Sequence, residues 1–92
     1  MTWARMWEAS VAEGRTEDAS EFVRRCVTDA LDSGECAGAE AYVSYAATSE
    51  DTVDRMVLIT RWNDQGAAHD YDERPPFGKL FTRTHAWVFE QL

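Results

Sequence analysis

From Thr2 to Val11 the chain alternates, with Trp3, Arg5, Trp7, Ala9 and Val11 on one side and Ala4, Met6, Glu8 and Ser10 on the other. Successive side chains of a strand point to opposite faces, so this period of two predicts a β-strand carrying large residues on both. Such a strand needs helices over one face and a second sheet over the other. A chain of 92 residues has room for one core, yet it carries four Trp, four Phe and three Tyr. A small domain buries a modest share of its surface, so a partner is the natural place for the excess aromatic area. The expectation is one domain, residues 1–92, that forms a homodimer through its sheet.

The rest of the chain reads as further elements of the same layered fold. Gly14 ends the first strand, and Thr16 is expected to cap a helix whose first turn holds Glu17, Asp18 and Glu21. Ala19, Phe22, Val23, Cys26, Val27, Ala30 and Leu31 then draw one apolar stripe, and Gly34 supplies a stop. Glu40 to Ala47 and Asp54 to Trp62 alternate as strands around a polar turn, Thr48 to Val53. Asp64 is expected to cap a short helix from Gln65 to about Asp72, ended by Pro75 and Pro76. Phe77, Leu80 and Phe81 add an apolar turn before a last strand, His85 to Leu92. The order βαββαβ is that of a ferredoxin-like α+β domain, an antiparallel sheet with helices on one face.

Composition removes several function classes. Seventeen acidic against nine basic residues leave a formal charge of −8, which repels a phosphate backbone, so no nucleic-acid partner is expected. No apolar run approaches the roughly 18 residues of a membrane helix, and the first 14 residues carry Arg5 and Glu8 in place of a signal core. A soluble, cytoplasmic protein without membrane contact is expected. Cys26 falls on the helix face and Cys36 in a Gly-flanked loop, without Cys/His spacing for a metal. No Gly-rich phosphate loop, Ser-His-Asp order or paired metal-ligand His is present, so ATP use, nucleotide redox, hydrolysis by a covalent serine and a metal site are not expected.

The segment Arg61-Trp62-Asn63-Asp64-Gln65-Gly66-Ala67-Ala68-His69-Asp70-Tyr71, followed by Pro75-Pro76-Phe77, resembles the third-strand exit and second helix of the antibiotic biosynthesis monooxygenase-like superfamily. Trp62 takes the place of the family Trp, Asp64 of the cap, and Pro75 and Phe77 of the Pro and Phe that follow. Tyr71 falls where many members carry His. The resemblance implies a homodimeric α+β barrel with a pocket between sheet and helices in each subunit. It also implies a cofactor-independent monooxygenase acting on an aromatic or polyketide-type metabolite in natural-product biosynthesis. A polyketide cyclase of the same fold and a non-catalytic ligand-binding or accessory protein are the alternatives. The chain departs from the quinone-forming members, which have an Asn and a Tyr where Leu58 and Ala68 stand here. It departs from the heme-degrading branch too, since its first strand has no Asn.

His69 and Tyr71 are the expected catalytic residues. Histidine changes charge near neutral pH and suits a general base, and a tyrosine phenol can donate to a developing enolate. Trp62, Trp7, Arg61 and Phe77 are the expected substrate contacts, each with a structural role as its competitor. Arg5 and Arg61 sit inside apolar strands and require partners, for which Glu8 and Glu90 on neighbouring strands are expected. His85 ranks below His69 because it is expected at the start of the last strand.

Overall fold

A computed structural model describes residues 1–76 and 79–92. Its elements are β1 (Trp3–Val11), α1 (Thr16–Asp32), β2 (Cys36–Ser44), a 3-10 turn (Ala46–Thr48), β3 (Arg55–Trp62), α2 (Gln65–Asp70) and β4 (Phe81–Glu90). The four strands form one sheet in the order β2-β3-β1-β4, every neighbouring pair antiparallel. This is the ferredoxin-like α+β fold. Among the described residues, no helix is long and apolar enough to cross a membrane.

The alternation in β1 and β3 sorts the sheet into two faces. Trp7, Ala9 and Val11 of β1 and Met56, Leu58, Thr60 and Trp62 of β3 are buried. They meet the stripe of α1, of which Ala19, Val23, Cys26 and Ala30 are buried. Trp7 stands edge-on to Phe81, with ring centroids 5.2 Å apart, and Phe22 closes the group at 5.8 Å from Phe81. Edge-to-face pairs of this kind add roughly 0.5–1.5 kcal/mol beyond the area they bury. Trp62 buries its ring and donates its Nε1–H to the Thr60 hydroxyl at 2.8 Å, so the indole leaves no unpaired donor in the core.

Residues of opposite parity form the second face, which nothing among the described residues covers. Met6, Val57 and Ile59 lie along its middle and are half-buried, while Tyr42, Trp87 and Phe89 are exposed. Ion pairs border the apolar strip: Arg55 with Glu8 at 2.7 Å, and Arg61 with Glu40.

Several local expectations change. Arg15, not Thr16, occupies the position before α1 and makes no side-chain cap bond. Thr16 instead donates to Asp54 Oδ2 at 2.6 Å, and Asp54 Oδ1 accepts from the Ala46 amide at 2.8 Å. One carboxylate therefore ties the start of α1 to the β2–β3 connection, and these bonds hold its pKa below the usual carboxylate range. β2 begins at Cys36, earlier than Glu40, because Gly38 and Ala39 pair with β3 without contributing a hydrophobic signal, and Ala37 is left unpaired at a register shift between Cys36 and Gly38. Cys36 thus lies at the start of a strand and not in a loop.

β4 begins at Phe81, not His85. Thr82, Arg83 and Thr84 continue an edge strand that is polar on both sides and so masks its own period. α2 ends at Asp70, with Asp64 capping it as expected: its Oδ2 accepts from the Ala67 amide at 2.9 Å.

Candidate functional site

Arg5 organises the helix-side face at its α2 end. Its parity directs it toward the helices, where a lone guanidinium would be costly to desolvate. Glu73 meets it in a bidentate pair, Nε to Oε2 at 2.7 Å and Nη2 to Oε1 at 3.0 Å. Nη1 also donates to the carbonyl oxygens of Ala68 and His69, at 3.2 and 3.4 Å, which α2 leaves open at its C-terminal turn. The Glu73 side chain is only 3% exposed, and its hydrogen bonds to Arg5 are the main cause of the arginine's raised pKa. Glu8 and Glu90, the expected partners, do not fill this role. Glu8 has the opposite parity and pairs with Arg55 across the other face, while Arg61 pairs with Glu40.

This clamp pins the chain leaving α2 against the sheet. Arg74 adopts φ 52°, a left-handed conformation that its amide steadies by donating to Asp72 Oδ1 at 2.9 Å. Tyr71 lays its ring against Trp62, centroids 5.1 Å apart. Between this segment and α1 lies a cleft of about 520 Å³, walled by Phe22, Cys26 and Asp29 on one side and by Tyr71, Asp72 and Glu73 on the other.

The electrostatics of the cleft favour neutral donors. Burial, aided by Cys26, Glu73 and Asp29, pushes the Tyr71 phenol up to about 12. Burial also pushes the Cys26 thiol up to about 11, with Glu73 and Asp29 adding to it and Arg25 opposing. At neutral pH Tyr71 is a protonated hydrogen-bond donor, and Cys26 is a thiol with little nucleophilic character. Carboxylates on both walls, Asp29 and Asp72, are acceptors within the same cleft.

Of the residues expected at a site, the structure brings Tyr71 and Trp62 into contact and separates the others. Trp62 and Trp7 are each 3% exposed, with their rings in the core. His69 is exposed on α2 and does not line the cleft; its carbonyl, not its imidazole, meets Arg5. Arg61 lies on the opposite face with Glu40. Phe77 lies outside the described residues. Phe22, Asp29 and Glu73 belong to the cleft without having been singled out. The odd parity of Arg5 in β1 signals only that some carboxylate is needed on the helix side; no pattern in the sequence marks Glu73 as that residue.

No family model matches the chain, and no curated protein matches it. Solved structures do. Rv0793 from Mycobacterium tuberculosis superposes with a TM-score of 0.76 at 17% identity, covering 100% of this chain and 96% of the other. SO0527 from Shewanella oneidensis gives 0.76 at 16%, covering 98% and 90%. A provisionally assigned antibiotic biosynthesis monooxygenase from Nitrosomonas europaea gives 0.74 at 14%, covering 99% and 90%. The fold is that of the antibiotic biosynthesis monooxygenase-like structures. At these identities the likeness is one of fold, and chemistry rests on this chain's own residues. Leu58 and Ala68, which the sequence resemblance sets against the Asn and Tyr of quinone-forming members, are both fully buried. Those two positions present no polar group to any cleft.

Proposed function

We propose that the protein is a small cofactor-independent monooxygenase-like enzyme acting on an aromatic or polyketide-type metabolite in natural-product biosynthesis, with Tyr71 as its hydrogen-bond donor. The observation that carries this reading is the position of the Tyr71 phenol, a protonated donor at neutral pH, on one wall of a cleft of about 520 Å³. That volume falls in the range of sites for small organic ligands, roughly 300–1,000 Å³. A phenolic or enolisable substrate loses a proton to a carboxylate such as Asp29 or Asp72. Its oxyanion accepts a hydrogen bond from Tyr71, and the electron-rich ring carbon is oxidised by molecular oxygen. That carbon takes one oxygen atom as a new carbonyl while its two hydrogens leave with the other oxygen atom as water, so that the substrate itself supplies the electrons. The chain supplies orientation and a hydrogen-bond donor. A second copy of the chain covers the open sheet face, where Tyr42, Trp87 and Phe89 are exposed.

Oxygen uptake with a panel of polycyclic phenols tests the reading. Loss of an oxyanion donor costs about 10²–10³ in kcat, so Tyr71→Phe should fall by at least tenfold while remaining folded. A variant that keeps more than about a third of wild-type kcat would remove Tyr71 from the reaction. The burial of Leu58 and Ala68 favours a second reading, a ligand-binding protein without turnover. Saturable binding of the same phenols with no oxygen uptake and no altered product would select it.

A further inference from the structure

Four carboxylates line the helix-side cleft, and they differ in what already holds them. Glu73 gives both oxygens to Arg5. Asp72 accepts from the Arg74 amide at 2.9 Å, and its charge also acts on Arg5. Asp70 closes α2, where it borders a separate hollow with Gly34, Glu35 and Asp64. Asp29 forms no ion pair among the described residues and comes from the opposite wall.

Helical register explains where Asp29 stands. Phe22, Cys26 and Asp29 are spaced i, i+4 and i+7 on α1, so they share one face. Phe22 packs toward Phe81 and Cys26 is buried, so a carboxylate continues a stripe that is otherwise apolar and ends it at the exposed rim of the cleft. The charge of Asp29 helps to push up both the Tyr71 phenol and the Cys26 thiol, as expected of a carboxylate that shares their space. The other charged or titratable groups of the cleft are Arg25 on the same helix and Asp70, Asp72, Glu73 and Arg74 on the far wall. With Glu73 committed to Arg5, three carboxylates (Asp29, Asp70 and Asp72) face two guanidiniums (Arg25 and Arg74), in a chain whose formal charge is −8.

A ligand hydroxyl between the two walls can make both of its hydrogen bonds. Tyr71 donates to its oxygen, and its own O–H donates to Asp29. We infer that Asp29 is the base of this cleft, taking the proton of a neutral aromatic hydroxyl, and that the same charge turns away aromatic carboxylates of similar shape. The inference rests on the reading of the helix-side cleft as the ligand site. In the step, the ligand O–H bond breaks, its electron pair stays on the oxygen under the Tyr71 hydrogen bond, and the proton goes to a carboxylate oxygen of Asp29. Asp29 is exposed, so the proton passes on to water.

The probes are 2-naphthol and 2-naphthoate, titrated near neutral pH into the ¹⁵N-labelled full-length chain while the Tyr71 amide is followed. The wild type should bind naphthol at least about tenfold more tightly than naphthoate, and Asp29→Asn should bring that ratio down to about one or below. Asp32→Asn removes the same charge from α1 outside the cleft and should leave the ratio alone. Asp29 has no ion pair to lose, so Asp29→Asn should keep the wild-type thermal midpoint. With a phenol that supports oxygen uptake, Asp29→Asn should lower kcat by about 10²–10⁴. That deficit should shrink as pH rises toward the phenol's own ionisation, where water removes the proton instead. Saturable naphthol binding with a ratio that Asp29→Asn leaves unchanged would overturn the inference while leaving the cleft as the ligand site. A ratio that moves equally in Asp32→Asn, an effect that belongs to Asp72→Asn alone, or a kcat deficit independent of pH would overturn it too. Absence of any naphthol shift at Tyr71 in the wild type would remove the reading of the cleft, and the role of Asp29 with it.

Discussion

Each face of the sheet sets an arginine among apolar neighbours, and the two faces treat it differently. On the helix side, Arg5 and Glu73 leave 13% and 3% of their side chains exposed, and the pair is fixed by two mutual hydrogen bonds. On the open side, Arg55 and Glu8 meet at the same 2.7 Å but keep 34% and 29% exposed. Distance therefore says little about what each pair does. The buried pair holds the segment after α2 in place and shapes the cleft, since neither charge could stay there alone. The exposed pair borders a surface strip and is screened by water.

Removing one acid from each face is the sharpest way to break this comparison. Glu73→Ala leaves a desolvated guanidinium and should cost about 3–5 kcal/mol in urea unfolding. For a domain of this size the melting temperature should fall by on the order of 15 °C or more. Replacing Arg5 and Glu73 together by Met and Leu should recover most of that loss, because both desolvated charges are then gone. Glu8→Ala should cost less than about 1 kcal/mol, and less still in about 0.5 M salt. A Glu73→Ala cost as small as that of Glu8→Ala would mean that the clamp does not hold the connector.

A smaller effect separates the faces by pH. Both Tyr71 and Tyr42 have raised pKa values, Tyr71 chiefly through burial and Tyr42 chiefly through its hydrogen bond to the Glu40 carboxylate. Tyr71 rises from 10.0 to about 12, so its unfolded form loses the proton first. The stability it contributes is complete below pH 10 and is lost as pH climbs toward 12. The expected outcome is a decline in unfolding free energy over that window that is shallower in Tyr71→Phe. In absorbance titrations, salt should leave the late Tyr71 transition in place and shift the Tyr42 transition downward.

What the sequence revealed follows the same division. The strict parity of β1 and β3, and the stripe from Ala19 to Ala30, announced the sheet, the helix and the two faces, because burial imposes those periods. β2 and β4 were legible only in part. Gly38 and Ala39 in β2, and Arg83 and Thr84 in β4, pair with their neighbouring strands through backbone hydrogen bonds that need no hydrophobic alternation. The partner of Arg5 was missed on rank and distance, although parity alone excludes Glu8 from the helix face. Glu73 lies 68 residues away on an irregular segment, where no period marks a side chain as buried. β4 starts at Phe81, four residues before the start its pattern suggests, which places His85 within the strand and beside Trp87.

The central claim is that the helix-side cleft, and not the open face, receives the polycyclic ligand. The direct measurement is an NMR titration of the labelled chain with a polycyclic phenol, reading both faces in one spectrum. The account predicts saturable shifts at Phe22, Cys26 and Tyr71, with Trp87 and His85 unmoved. Shifts confined to Trp87, His85 and their neighbours on β4 would contradict it.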